Sequence, residues 1–479
     1  MAGLTIAIAG ASGFIGQALC KRLATDHTVV ALSRTAAPSA GGIERRRCDL
    51  FSLLDCEGAL AGADVAVYLV HSMMPSARLT QASFVDMDLI LADNFARAAK
   101  KAGVRQIVYL GGIVPEDGVL SPHLASRIEV EHALAAHGVP VTSLRASLVI
   151  GPDGSSFRIL QRLVERLPVM LLPRWTRSAC QPIHVDDVVT LLAGVCGAPF
   201  ARGETFDIGG PEVLSYGELI ARTARALGRK RAFLPVPFFS PELSRLWVTL
   251  VTGTPRELVS PLVSSLRHPM VARDLRLQDQ LGVPGLPLDE ALRRAISAPR
   301  PAAPAPRPAP VAPQANTVRS VQRLPLPEGR DAIWAAAEYM TWLPRALRPF
   351  LWVEVDEAGL VRFGLFGMRR SLLELAWSRN RSLSDRTLLY VVGGLLANVQ
   401  GNRRARLEFR VVLDGRTLVA AVHELVPSLP WPIYNATQAV AHLWIMRAFG
   451  WHLARRAEAE RRERQMVEQL GRLVDTEPD

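Results

Sequence analysis

No uncharged apolar run in the 479 residues reaches 18, so no transmembrane helix is predicted. Cysteine is scarce: Cys20, Cys48, Cys56, Cys180 and Cys196 form no C-x-x-C pair. An odd, scattered set argues against a disulfide frame or a zinc site and suits a reducing compartment. The first residues lack the basic, apolar, small-residue order of a secretory signal and enter a strand at once. The expectation is a soluble cytoplasmic protein. No segment carries the motif of a nucleic-acid reader, and no nucleic-acid partner is expected. The chain is nevertheless basic, with 56 Lys and Arg against 45 Asp and Glu, a net charge of +11. That excess permits contact with nucleotides or lipid head groups, and an arginine-rich composition alone also accounts for it.

Hydrophobic residues make up 49% of the chain and charged residues 21%, enough apolar material for sizeable cores. The length predicts two or three domains. There is no internal repeat. Residues 298–313, APRPAAPAPRPAPVAP, hold seven prolines in sixteen positions, and proline fixes φ and removes a backbone donor. A Pro/Ala-rich linker is thus placed at 298–316. It separates 1–297 from 317–454, with a charged helical tail at 455–479. In the first part, β-branched runs at Thr5–Ala9, Thr28–Leu32, Val65–Val70, Gln106–Leu110 and Val141–Leu144 predict strands. Helical patterns intervene at Phe14–Ala24, Leu79–Ala102 and Ser126–His137. This alternation predicts an α/β fold with a doubly wound parallel sheet.

The stretch IAIAGASGFIGQAL, Ile6 to Leu19, places Gly10, Gly13 and Gly16 between a strand and a helix. Gly10 permits the tight turn, Gly13 lets the backbone approach a pyrophosphate, and Gly16 lets the helix pack on the sheet. The helix from Phe14 offers free N–H groups to phosphates. Gly10, Ala11, Ser12, Gly13, Phe14, Ile15 and Gly16 are therefore candidate dinucleotide-binding residues. The next strand ends in Ser33-Arg34, where a cofactor with a free ribose usually meets an acid. A hydroxyl and a guanidinium suit a 2′-phosphate, so NADP(H) is favoured over NAD(H). Asp49 is placed to accept from the adenine amino group, or to cap the helix after it, with Leu50 beside it. Val70 ends the fourth strand, His71 and Ser72 follow it, and the three are expected to line the cofactor groove.

The motifs GASGFIG, YLVHSM, NFARAAKKAGVRQIVYLGG, SPHLASRIEVEHAL, VPVTSLRASLVIGPDGSSF, CQPIHVDDVV and TFDIGGPEVLSY occur in this order. The series resembles the atypical and extended short-chain dehydrogenases/reductases, most of all their NmrA-like NAD(P)H-binding branch, over residues 3–297. The resemblance implies a Rossmann domain followed from about residue 150 by a small substrate lobe. It also implies that Gln181–Val188 lies near the substrate cleft, while His184, Asp186 and Asp187 can instead cap the following helix, the reading preferred for the two aspartates.

Active members of that superfamily carry a tyrosine acid/base, a lysine four residues later and a serine on the preceding strand. Here Gly111 and Gly112 stand at the serine position, and His123-x-x-x-Arg127 replaces Tyr-x-x-x-Lys. Tyr109 lies inside the strand. Three readings follow. His123 relays protons while Arg127 holds the nicotinamide ribose or activates substrate. Alternatively, Arg127 only binds ribose, His123 is a surface residue, and the domain is a redox sensor. In the third, hydride goes to an acceptor that needs no protein acid, such as a quinone or flavin. Ser121, beside Pro122, reads as an N-cap.

Residues 317–454 carry TVRSVQRLPLP, GRDAIWAAAEYM, a set of antiparallel strands and a long closing helix. One hairpin turns at Asp414-Gly415. The order resembles START-like (SRPBCC) helix-grip folds, which implies an α+β domain with a cavity for a hydrophobic ligand. Seven of the nine tryptophans lie here, and a packed core also accounts for them. In the tail, arginine and glutamate at i, i+3 and i+4 predict a solvated helix face, with membrane-surface contact as the alternative. The overall expectation is an oxidoreductase acting on an apolar carbonyl or quinone-like compound. The alternative is a non-catalytic NADP(H) sensor.

Overall fold

The computed structural model describes residues 3–35, 38–71, 78–115, 118–236, 253, 263–298, 317–400, 404–413, 415 and 417–474. The chain divides into two compact units. One comprises 1–74 and 88–308, the other 75–87 and 309–479.

The first unit is built on a seven-stranded sheet. Its strand order is Thr205–Ile208, Val141–Ala146, Gln106–Gly112, Val65–Tyr68, Thr5–Ala9, Thr28–Ser33 and Ile43–Arg47. All neighbours run parallel. Ile6, Ile8, Val65, Val67, Val108 and Leu144 are buried in one core with the helices Phe14–Leu23 and Val185–Val195. Strands buried on both faces need uninterrupted apolar runs rather than alternation, which is why these segments read so clearly. Tyr68 meets Phe95, from the helix Phe84–Lys101, at 5.1 Å between ring centroids. The sheet is the predicted doubly wound Rossmann type.

A separate apolar cluster forms the lobe after residue 150. Helices Ser155–Arg166, Tyr216–Ala226 and Leu288–Ser297 bring Phe157, Leu160, Leu163, Tyr216, Leu219, Ile220 and Leu292 together with Trp175. On Ser155–Arg166 the buried positions are 157, 160, 163 and 164, the one-sided spacing of an amphipathic helix.

The second unit holds an eight-stranded sheet. Its order is Leu351–Val355, Leu360–Leu365, Leu373–Trp377, Arg386–Gly393, Arg406–Val412, Thr417–Leu425, Val318–Pro325 and Leu79–Gln81. Every pairing is antiparallel except the last, where Leu79–Gln81 runs parallel to Val318–Ser320. The predicted helix over Leu79–Ala102 therefore starts only at Phe84, and Leu79–Gln81 is an edge strand of the second unit. Helix Ala332–Ala346 starts where the Asp331 carboxylate accepts the Trp334 N–H at 2.7 Å. It packs with the long helix Gln438–Val474 on one sheet face, where Tyr339 lies 5.5 Å from Phe409 and 5.1 Å from Phe449 by ring centroids. Glu408 is buried among Arg386, Arg406 and Arg410. Gly415 has φ +81°, as a hairpin turn requires, and Asp414 lies outside the described residues. Not all the tryptophans here are core: Trp377, Trp444 and Trp451 are exposed.

Candidate functional site

Strand Thr5–Ala9 ends at Gly10, whose φ of +84° favours glycine. A Cβ there would lie 2.8 Å from the Leu69 carbonyl oxygen. The Gly13 N–H donates to the Gly10 carbonyl at 2.9 Å, closing the turn. Helix Phe14–Leu23 then begins with no side-chain cap at Gly13, so its first amides face outward. At Gly16 a Cβ would lie 2.2 Å from the Gly10 oxygen, so only glycine lets helix and loop meet. Ala11 is buried and Ser12 exposed, its carbonyl accepting from Gln17 Nε2 at 2.8 Å. The Phe14 ring packs against Gly151, where a Cβ would lie 2.2 Å from it. Ile15 lies beside it, lining the same cleft.

At the ends of the next strands, the Ser33 hydroxyl donates to the Thr35 carbonyl at 2.6 Å and Arg34 is exposed. The parallel register sets Arg47 beside Ser33, also exposed. Arg47 escaped the sequence reading because only this register brings it to Ser33. Asp49 does not cap the following helix. Its Oδ1 accepts the Phe51 N–H at 3.1 Å, while the cap of Leu53–Leu60 is Ser52, accepting from the Asp55 N–H. The Leu50 carbonyl accepts from Asn94 Nδ2 at 2.8 Å.

A cleft of ≈ 540 Å³ opens from the glycine loop. Gly10, Gly13, Phe14, Val70, His71, Gly111, Gly112, His123 and Arg127 line it from the parallel-sheet framework, and Leu160, Trp175, Tyr216 and Ile220 line it from the lobe. Ser72 lies outside the described residues. His123 is therefore a cleft residue, not a surface one. Burial and the neighbouring Arg127 charge pull its pKa down to about 3. His123 is therefore neutral at pH 7 and holds no imidazolium proton to donate there. Its Nδ1 is buried without a partner.

Arg127 is 6% exposed and ion-pairs with the fully buried Asp88, with Ser126 Oγ at 3.3 Å. Its Nε has no partner. Asp88 went unrecognised because a lone acid in a long helical pattern reads as solvated. Tyr109 is buried, its hydroxyl donating to the Arg127 carbonyl at 3.2 Å and its pKa pushed up to about 12 by burial. A Cβ at Gly111 would lie 2.9 Å from the Tyr109 ring, whereas one at Gly112 would meet nothing closer than 3.6 Å. Ser121 is an N-cap, accepting the Leu124 N–H at 3.3 Å.

The segment Gln181–Val188 does not line this cleft. Gln181 braces the backbone of Gly210 and Ala272. His184, rather than either aspartate, caps helix Val185–Val195, its Nδ1 accepting the Asp186 N–H at 3.2 Å. Asp187 accepts the Leu286 N–H at 2.9 Å.

Residues 6–209 match the model of the NAD dependent epimerase/dehydratase family. The auxiliary protein GraX of Staphylococcus aureus is 30% identical over 141 residues, 28% of this chain and 42% of that protein, so less than half of GraX is spanned. The 2-alkyl-3-oxoalkanoate reductase of Stenotrophomonas maltophilia is 25% identical over 327 residues, 61% of this chain and 98% of that one. A solved nucleoside-diphosphate-sugar epimerase from Staphylococcus aureus superposes with a TM-score of 0.50 at 18% identity, covering 60% of this chain and all of that one, a likeness of fold. The uncapped helix start and the glycine positions that tolerate no Cβ fit a dinucleotide pyrophosphate. The N-terminal ~210 residues are thus similar to the NAD dependent epimerase/dehydratase family, whose model they match, and their glycine loop has the form of a dinucleotide-binding turn.

Proposed function

We propose that the first unit is an NADP(H)-dependent oxidoreductase acting on an apolar carbonyl or quinone-like compound. The observation that carries this reading is the character of the cleft. Among the described residues lining it, Arg127 and Asp153 are the only Asp, Glu, Lys or Arg side chains, and its lobe side is mainly aliphatic and aromatic. A nucleotide sugar would need cations for its own pyrophosphate, and among the described lining residues the lobe supplies none, Arg127 being held by Asp88. Epimerisation of a sugar also calls for an acid/base pair that this chain lacks at His123 and Arg127. Ser33, Arg34 and Arg47 favour the 2′-phosphate of NADP(H).

When bound, the nicotinamide supplies the hydride. His123, neutral in the cleft wall, would relay a proton between water and a substrate oxygen, and Arg127, held in place by Asp88, would offer a fixed positive charge to that oxygen. The test is NADPH consumption at 340 nm with a panel of ketones and quinones, beside a fluorescence titration of NADPH binding. Turnover that His123→Ala or Arg127→Ala reduces at least tenfold is expected.

A second reading is a non-catalytic NADP(H) sensor. It is favoured by the depressed pKa of His123 and by the engaged hydroxyl of Tyr109. Tight NADPH binding with no turnover on any acceptor selects it. For the second unit, a START-like module for a hydrophobic ligand remains our proposal, supported by the long helix laid on an antiparallel sheet. Native mass spectrometry of the purified protein for a carried apolar molecule tests it. A cytoplasmic setting is also proposed, on the strength of five buried free thiols.

A further inference from the structure

The walls of the cleft carry two separate groups of buried polar atoms that lack partners. One group, His123 Nδ1 and Arg127 Nε, belongs to helix Pro122–Ala135 on the framework side. The other belongs to the lobe. Trp175 is nine-tenths buried and lines the cleft, yet its indole N–H has no partner. Ser147, immediately after strand Val141–Ala146, also lines the cleft. Its Oγ is buried beside the Tyr216 hydroxyl, with which it interacts, so the indole N–H of Trp175 is the unsatisfied donor of this group. Tyr216 joins the two, its ring edge-on to Trp175 at 6.2 Å between centroids. An unsatisfied buried donor costs about 1–3 kcal/mol, so one in a binding cleft points to a ligand atom that satisfies it.

Resting on the oxidoreductase reading above, we propose that Trp175, Ser147 and Tyr216 form an anchoring subsite for a second, uncharged oxygen of the substrate. This oxygen is distinct from the one at the carbon that accepts hydride. The indole N–H only donates, so the ligand atom is an acceptor. An uncharged atom fits best, because among the described lobe residues of the lining there is no cation, and Asp153, on the same lining, repels anions. Leu160, Leu163, Leu219 and Ile220 surround this group, so the body between the two oxygens is apolar. The substrate class is a neutral apolar compound with two separated oxygens, a quinone or a hydroxylated or diketonic ring system, and not a carboxylate or phosphate ester.

The test uses two probes that differ in one oxygen, 4-hydroxy-1-tetralone and 1-tetralone. Each is titrated calorimetrically into the full-length protein, with and without NADP+. Wild type is expected to bind the hydroxylated probe about tenfold more tightly, the value of one well-made hydrogen bond. Trp175→Phe keeps an aromatic ring at this position but removes the N–H together with part of the indole, and the 1-tetralone arm reads that lost packing separately. It is expected to shrink that preference below threefold while leaving 1-tetralone within twofold, and Ser147→Ala to shrink it in part. Equal binding of the two probes by wild type, binding of neither, or an unchanged preference in Trp175→Phe overturns the subsite. Failure of NADPH to bind sinks the oxidoreductase reading instead, and the titrations without nucleotide still decide the subsite.

Discussion

At the residue scale, the glycine loop was the most legible part of the site, because its three positions are set by backbone geometry alone. Gly16 is the strictest, since any Cβ runs into the Gly10 carbonyl. Gly16→Ala should lower stability by about 1–3 kcal/mol through overpacking. It should also weaken NADPH at least tenfold in a fluorescence titration, and wild-type affinity in that variant would contradict the assignment. Arg34→Ala and Arg47→Ala should each weaken NADP(H) several-fold and leave NAD(H) within twofold, and equal losses would defeat the 2′-phosphate assignment. Arg34 was readable from its place after the strand, whereas Arg47 needed the register. Trp175 was unreadable, since only the folded lobe brings it to Tyr216 and the cleft.

His123 gives a pH dependence with a definite sign. Burial and Arg127 hold it near 3 in the folded protein, while the unfolded chain protonates it near 6.5. Its contribution to stability is complete above that value and is lost as the pH falls toward 3, by about 1.4 kcal/mol per pH unit. Thermal unfolding of wild type and His123→Gln at pH 7 and pH 5 checks this, because the variant should lose less on acidification. Equal losses would mean that His123 is solvated in the folded state.

At the scale of elements, helices Phe84–Lys101 and Pro122–Ala135 are joined through the buried pair of Asp88 and Arg127. Asp88→Asn leaves a buried guanidinium without its counter-charge. It should cost about 3–5 kcal/mol in denaturant unfolding, and turnover per folded molecule should fall as Arg127 loses its fixed orientation. A loss under 1 kcal/mol would show that water reaches the pair. The strands of the parallel sheet were legible because burial on both faces demands unbroken apolar runs. The helix at Phe84 was legible too, but not its start. Leu79, Thr80 and Gln81 are too few for any period, and their strand exists only through pairing with Val318–Ser320, more than two hundred residues away. The motif Gln181–Val188 shows the opposite failure. Its spacing was real, but His184 and Asp187 brace backbone rather than substrate.

At the scale of the molecule, the linker at 298–316 was plain in the sequence, but it is not the only place where the chain changes unit. Residues 75–87 belong with the second unit although they come before most of the first. A protease site engineered between 299 and 316 should therefore give two bands on a denaturing gel and one species on a native column. Separation on the native column would show that the pairing of Leu79–Gln81 with Val318–Ser320 is too weak to retain the fragment.

That short strand also bears on ancestry. A gene fusion that simply abutted two finished modules would have left every piece of the later one downstream of the join. Here a few residues of the earlier coding sequence complete the sheet of the later one, so neither half can be lent to another architecture intact. Borrowing the front half would carry away a strand it does not use, and borrowing the back half would leave Val318–Ser320 as a raw edge open to chance association.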